Sequence, residues 1–184
     1  MNHKTTVIGV SGCSASGKST LCERLTELLG SDVTETVLLD RFYKKDLPKM
    51  ISPFDGREYP DWNSPDSIDR AAAYEYITGA IENGKKYLLI DGAFLFCIDE
   101  LRKLCDFKIY VTAAIETRIY RRIKRNIIIK KQTIEQIADY YLATVRSRER
   151  EYSIPSMKYA DIVVDNENGF KGMDEVCAEK IRNL

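Results

Sequence analysis

Short, almost continuously apolar runs punctuate the chain: Val7-Ile8-Gly9-Val10, Val37-Leu38-Leu39, Tyr87-Leu88-Leu89-Ile90, Phe107-Lys108-Ile109-Tyr110-Val111 and Asp161-Ile162-Val163-Val164. Runs with so little polar alternation are what strands show when both faces are covered, as in a parallel sheet. Between them the apolar residues shift to helical spacing. Lys18–Leu29 places Leu21, Leu25 and Leu28 on one face, and Gly30 stops the pattern. Ser64-Pro65 reads as an N-cap followed by proline at the first helical position, which predicts a helix to about Glu82. A third helix is predicted over 114–126. A fourth, over 133–152, repeats Ile134, Ile137, Ala138, Tyr141, Leu142 and Val145, with Thr133 and Gln136 as a capping box. A short last helix is predicted over 173–181. Strands alternating with helices predict a doubly wound α/β domain with a five-stranded parallel sheet.

Two segments break the alternation. Residues 41–63 carry no clear periodicity and contain Pro48, Pro53, Gly56, Pro60 and the single tryptophan, Trp62. A loop of this length inside a compact domain is usually functional. The second segment is basic: Arg118, Arg121, Arg122, Lys124, Arg125, Lys130 and Lys131 crowd into 118–132.

A length of 184 residues fits a single domain spanning 1–184. Lys and Arg number 28 and Asp and Glu number 28, so the net charge is zero. That balance argues against a generic nucleic-acid binder but leaves room for a local basic site that takes a small polyanion. No run approaches the roughly 18 to 20 apolar residues of a membrane span. The first residues, Met1 to Thr6, lack the apolar core of a signal peptide, and the five cysteines lack any C-x-x-C spacing. Reduced thiols and a cytoplasmic location are therefore expected, with no disulfide framework or zinc site. The lone histidine, His3, sits in the N-terminal tail, which leaves no basis for a His-dependent triad.

The strongest chemical signal is Gly12-Cys13-Ser14-Ala15-Ser16-Gly17-Lys18-Ser19, with Thr20 following. This is G-x-x-x-x-G-K-[ST], set between a predicted strand and a predicted helix. Glycines let the backbone curl so that successive N–H groups face a phosphate, and the helix N-terminus adds its dipole. Lys18 is expected to reach the β- and γ-phosphates of ATP, and the Ser19 hydroxyl to ligate Mg²⁺. Asp91 ends the run Leu88-Leu89-Ile90-Asp91, the pattern whose carboxylate helps hold Mg²⁺. Asp40 ends the second predicted strand, at the crevice side of a parallel sheet. It fits a base for a substrate hydroxyl, a Mg²⁺ ligand through water, or a turn cap. Like charges at helical spacing repel, so the basic cluster fits a lid that meets the triphosphate, the other reading being a solvated helix face. Trp62 fits a stacking plane for substrate or a loop anchor. Tyr140 and Tyr141 read as core or helix surface.

Taken together, these segments resemble the uridine kinase and phosphoribulokinase superfamily, which includes nicotinamide riboside kinases. The resemblance is carried by the P-loop, Leu39-Asp40-Arg41-Phe42-Tyr43, Asp61-Trp62-Asn63-Ser64-Pro65-Asp66-Ser67-Ile68-Asp69, Ile90-Asp91-Gly92-Ala93-Phe94-Leu95-Phe96, Arg121-Arg122-Ile123-Lys124-Arg125, Tyr141-Leu142-Ala143-Thr144-Val145-Arg146 and Tyr159-Ala160-Asp161-Ile162-Val163-Val164, in order from Val7 to Val164. It implies a P-loop NTPase fold with a basic lid, and transfer of phosphate from ATP·Mg²⁺ to a primary hydroxyl, typically the 5′-hydroxyl of a riboside. Asp40 matches the family's catalytic acid, and Arg122 and Arg125 match its lid arginines. Tyr43, Trp62, Asn63 and Arg122 are the implied substrate contacts. Three departures stand out. The family's Phe-Asp-His-Pro segment reads Trp62-Asn63-Ser64-Pro65, its strand-end Glu is Asp91, and its later lid arginines fall at Lys130 and Gln132. The base-reading hairpin of uridine kinases is missing, because Asn83-Gly84-Lys85-Lys86 leads straight to the next strand. A weak or altered base preference is therefore expected. Three readings stand: a nucleoside kinase, a kinase of another small hydroxyl compound, and an ATP-binding regulator with no acceptor. A pure regulator needs neither Asp40 nor the lid. Nothing in the sequence reads the donor base, which leaves GTP open beside ATP.

Overall fold

The computed structural model describes residues 4–184, so His3 lies outside the described residues. The apolar runs become β1 (Thr6–Ser11), β2 (Thr34–Leu38), β5 (Tyr87–Asp91), β6 (Phe107–Thr112) and β7 (Ile162–Asp165). They form one parallel sheet in the order β2-β5-β1-β6-β7, while β3 (Lys49–Ile51) and β4 (Glu58–Pro60) pair separately and antiparallel. The helices are α1 (Lys18–Leu29), α2 (Arg70–Asn83), the one-turn α3 (Asp99–Arg102), α4 (Ile115–Lys130), α5 (Ile134–Tyr140) and a C-terminal helix (Met173–Arg182). No described helix is long and apolar enough to cross a membrane. All five cysteines are free thiols.

The strands alternate between two cores. Ile8, Val10, Leu89, Ile109 and Val111 face α1 and the C-terminal helix, packing on Leu21, Leu25, Phe170, Cys177 and Ile181. Val7, Leu88, Ile90 and Tyr110 face the opposite layer, which contains Ile68, Ala73, Ile77, Phe96 and Leu101. With apolar cover on both faces, no polar alternation survives in the sequence. Gly9 belongs to the second face. A Cβ there would lie 2.8 Å from Cys105 Sγ and 3.0 Å from Leu95 Cδ2, so the following layer seats directly on the β1 backbone.

Several boundaries differ from the sequence expectation, each for a local reason. Ser64 caps only a three-residue 3₁₀ turn (Pro65–Ser67), by accepting a hydrogen bond from Asp66 N. The chain then extends at Ile68, which is buried, and Asp69 caps α2 by accepting from Ala72 N. Asp40 does not end a strand: β2 stops at Leu38, and Asp40 sits in the 3₁₀ turn Leu39–Phe42. The 41–63 segment contains the β3–β4 hairpin, too short to show a period-2 pattern. The third helix runs past Asn126 to Lys130, and Lys131 ends it in the left-handed region at φ 55°. The capping box of Thr133 and Gln136 forms as expected.

The fourth helix is not a regular α-helix. Beyond α5, helical chain continues to Ser156 through two π turns, Tyr141–Val145 and Glu149–Ser153, separated by Arg146–Arg148. Tyr141, Val145, Glu149 and Ser153 recur every four residues and are all buried. In an α-helix that spacing drifts about 40° per step. The wider π turns offset the drift and hold all four side chains toward the sheet.

The Gly9 packing supplies a direct test. Gly9→Ala forces a methyl group into a filled layer, and overpacking of this kind costs about 1–3 kcal/mol. Urea denaturation should show a lower midpoint with an unchanged slope.

Candidate active site

The parallel register aligns β1 with β5 so that Val10 pairs with Asp91, and β2 with β5 so that Leu38 also pairs with Asp91. The C-terminal ends of three strands therefore share one edge. β1 lies between β5 and β6, so connections diverge to either side of it, and ligands of open α/β sheets bind at such a point.

From β1 the chain curls through Gly12 at φ 143°, Ala15 at φ 62° and Gly17 at φ 108° before α1 begins. Neither glycine can carry a side chain here. A Cβ on Gly12 would lie 2.2 Å from the Val111 carbonyl oxygen, and one on Gly17 would lie 2.1 Å from Asn166 Nδ2. Ala15 takes the left-handed conformation without being glycine. Lys18 Nζ donates to the Cys13 carbonyl at 3.3 Å, so its ammonium folds back across the loop. Ser19 Oγ donates to Asp91 Oδ2 at 2.5 Å. Cys13 is buried with its Sγ 3.6 Å from Tyr110 Oη. Burial, and then Glu149, push its thiol above the ordinary value, so it is not a reactive thiolate.

The P-loop opens on a cleft of about 500 Å³ whose lining includes Lys18, Ser19, Asp91, Asp40, Tyr43, Asn63, Arg121, Arg125 and Glu149. A second hollow of about 510 Å³ shares Ser14, Asp40, Tyr43, Asn63 and Arg125, and adds Trp62, Arg122, Lys130, Gln132 and Tyr140. Asp40 sits where the two meet. Its carboxylate reaches the cleft, yet the surrounding protein raises its pKa, desolvation outweighing the attraction of Lys18. Tyr43 packs edge-on against Trp62 with ring centroids 5.2 Å apart, and burial raises its phenol as well. Asn63 Nδ2 donates to Tyr140 Oη at 3.2 Å and to Thr144 Oγ1 at 3.3 Å. Thr144 spends its own proton on the Tyr140 carbonyl, at 2.9 Å. Its hydroxyl can then only accept from residue 63, so the amide is oriented with its oxygen as the remaining acceptor. Tyr140, expected as core or helix surface, lines the second hollow instead.

The basic segment divides into distinct contacts. Arg118 is buried, donating to Glu149 Oε1 at 2.8 Å and to the Ser14 carbonyl at 3.4 Å. Arg121 Nη2 holds the carbonyls of Asn166 and Glu167 at 2.7 and 3.2 Å. Arg122 Nη1 donates to Ser14 Oγ at 3.2 Å, and burial with Arg125 nearby lowers its pKa. Arg125 and Lys130 stay exposed at the mouth of the second hollow. Thr20 is exposed beside Ser19 on the cleft wall.

Several contributors were not singled out from sequence. Asn166 Nδ2 donates to the Ser16 carbonyl at 2.8 Å, bracing the P-loop from the end of β7. As a polar residue just past a parallel strand, it carried the same signal as Asp40. Asp61, fully buried, pairs with Arg148 at 2.7 Å and accepts from Asn63 N at 3.0 Å. That pair fastens the loop of Trp62 and Asn63 to the π-turn helix. Glu149 carried no signal in the sequence, standing as one charged residue among Arg148, Arg150 and Glu151.

Known proteins resemble this chain over most of its length. Residues 72–169 match the model of the phosphoribulokinase / uridine kinase family. A uridine kinase of Leuconostoc citreum is 30% identical, the alignment covering 89% of each chain. A uridine kinase of Chlamydia pneumoniae is 27% identical over 96% of this chain and 89% of the relative. Among solved structures, the shikimate kinase of Acinetobacter baumannii superposes with a TM-score of 0.56 at 15% identity, covering 99% of this chain and 93% of that one, which speaks to fold alone. The match spans more than half of the chain, so the protein belongs to the phosphoribulokinase / uridine kinase family of P-loop kinases.

Proposed function

We propose that this protein transfers the γ-phosphoryl group of ATP to the primary hydroxyl of a small riboside, the 5′-hydroxyl of a nucleoside. The observation that carries the reading is the joining, in one cleft, of Lys18 and the Ser19–Asp91 pair with a second carboxylate, Asp40, backed by an aromatic and amide-lined hollow. An ATP-binding regulator has no use for that second hollow.

The residues fit the donor. Lys18, Arg121 and Arg125 line the cleft together with the P-loop backbone, a set of cations and donors that suits phosphate oxygens. The P-loop residues Gly12, Cys13, Ser14, Ala15, Ser16, Gly17, Lys18, Ser19 and Thr20 form the proposed phosphate cradle. Among the described residues no group of three or more His, Cys, Asp and Glu gathers to cage a metal. That suits Mg²⁺, which usually takes one or two carboxylates together with phosphate oxygens and water. Ser19 and Asp91 would hold it, with Asp40 close by. When bound, Mg²⁺ neutralises charge on the phosphates.

On the acceptor side, Asp40 takes the hydroxyl proton as the oxygen attacks. Asn63 presents its oriented carbonyl oxygen to the sugar hydroxyls. Tyr43 and Trp62 supply apolar planes, and Arg122 a cation beside them. The segment 118–132 acts as the lid, its outer cations Arg125 and Lys130 stabilising charge on the transferring group and excluding water.

Three measurements test this reading. Lys18→Ala should stay folded and lose nearly all phosphoryl transfer to any riboside, because its ammonium stabilises phosphate charge worth several kcal/mol. Wild-type turnover in the folded variant would defeat the P-loop assignment.

Asp40→Asn should lower kcat by about 10²- to 10⁴-fold with the KM for ATP little changed. A large loss of Mg·ATP affinity would make Asp40 chiefly a metal ligand. The raised Asp40 pKa also sets the direction of the pH profile. The base works deprotonated, so kcat/KM should fall on the acid side at a pH above the ordinary carboxylate value. Asp40→Asn should remove that limb.

Arg125→Ala should reduce kcat more than it weakens ATP binding. Equal rate and binding would return the outer cations to a solvated face.

A further inference from the structure

Asp61 lines neither the cleft nor the second hollow, yet both of its carboxylate oxygens are taken. Oδ1 accepts from Asn63 N at 3.0 Å, which folds the turn that carries Trp62 and Asn63. Oδ2 pairs with Arg148 Nη2 at 2.7 Å. The Asp61 N–H donates to the Pro48 carbonyl at 2.7 Å, so the same residue also holds the start of the β3–β4 hairpin. Its side chain is 1% exposed, and a charge so deeply buried depends on its partner. Arg148 is fixed in turn, because its Nη1 donates to Glu151 Oε2 at 2.6 Å on the same helix.

The helix meets this turn along one line. Tyr140, Thr144 and Arg148 recur every four residues, with the π turn Tyr141–Val145 between the first and the last. The wider turn keeps them on one face, beside the line of Tyr141, Val145, Glu149 and Ser153 that faces the sheet. All three meet residues 61–63: Tyr140 Oη and Thr144 Oγ1 accept from Asn63 Nδ2, and Arg148 pairs with Asp61. The links differ in strength. The Asn63 bonds are neutral and long, at 3.2 and 3.3 Å, whereas the Asp61–Arg148 pair is short, charged and buried. The ion pair is therefore the fastening, and the Asn63 amide is what it sets in place.

We infer that Asp61 and Arg148 are positioning residues of the acceptor site: their ion pair seats the turn on the helix, so that Asn63 offers its carbonyl oxygen, and not its amide nitrogen, to the sugar hydroxyls. This rests on the riboside-kinase reading. The pair acts through Asn63, so its loss falls on acceptor binding and leaves ATP binding unchanged. It also falls on discrimination. A site that pairs a substrate hydroxyl rejects the analogue lacking it, because its own polar group is then left unpaired. A turn no longer seated loses that preference for ribosides over 2′-deoxyribosides.

The test uses two variants. Asp61→Asn keeps the side-chain volume but has one oxygen, which can accept from Asn63 N or from Arg148, never from both. Removing one charge of a buried pair can unfold a protein, so Asp61→Asn/Arg148→Met is run alongside. There the single oxygen can return to Asn63 N, which restores the turn while its link to the helix stays cut. kcat and KM are measured for uridine, cytidine and nicotinamide riboside, each beside its 2′-deoxy counterpart. Both variants should raise the riboside KM about 10-fold, move the KM for ATP by less than about twofold, and cut the preference for riboside over 2′-deoxyriboside about tenfold. Wild-type constants in either folded variant would overturn the inference. So would a loss shared equally by riboside and 2′-deoxyriboside, or by ATP and acceptor, which would make the pair an element of the fold alone. Wild type inactive on every riboside, yet active on another alcohol, would overturn the riboside reading and this inference with it.

Discussion

The parallel register of β1 against β5 is the constraint on which the rest depends. It sets Val10 opposite Asp91, so the P-loop leaves the sheet beside the carboxylate that accepts from Ser19. A slip of one residue would send every side chain of β1 to the opposite face. Ile8 and Val10 would leave the α1 core, and Gly9 would no longer seat the layer of Leu95, Phe96 and Cys105. The two cores thus hold the register, and the register holds the site. A kinase site built this way inherits its precision from packing far from the phosphates.

A second level of order comes from how the protein spends its arginines. A run of like charges is unfavourable on a free helix. Here the inner members are drawn down one by one: Arg118 onto Glu149 and Ser14, Arg121 onto the carbonyls past β7, and Arg122 onto Ser14. α4 is thereby tied to the P-loop at its base, while further along Arg125, whose Nε donates to the neighbouring Asn126 Oδ1 at 3.3 Å, and Lys130 stay exposed. The Asp61–Arg148 pair likewise joins the loop of Trp62 and Asn63 to the π-turn helix.

Much was legible in the chain itself. The five strands, the Lys18–Leu29 helix, the P-loop and Asp91 followed from apolar runs and a phosphate-binding motif, because those signals are local. Asp40 was found by its place after an apolar run, although β2 stops two residues before it. The Ser64-Pro65 signal misled. Capping chemistry specifies that a helical turn starts, while burial of Ile68 decided that it stops after three residues.

The sequence by itself determined the order of strands and helices, the phosphate loop and the acid at the end of β5, since each is written within a few neighbouring residues. Only the tertiary structure decided which arginines are structural and which face the cleft, that Tyr140 and Thr144 orient Asn63, and that Arg118 is seated on Glu149. Those facts rest on partners 31 to 108 residues apart along the chain. Hydrogen bonding between such distant groups leaves no periodic trace in sequence, because geometry, not spacing, selects the partner.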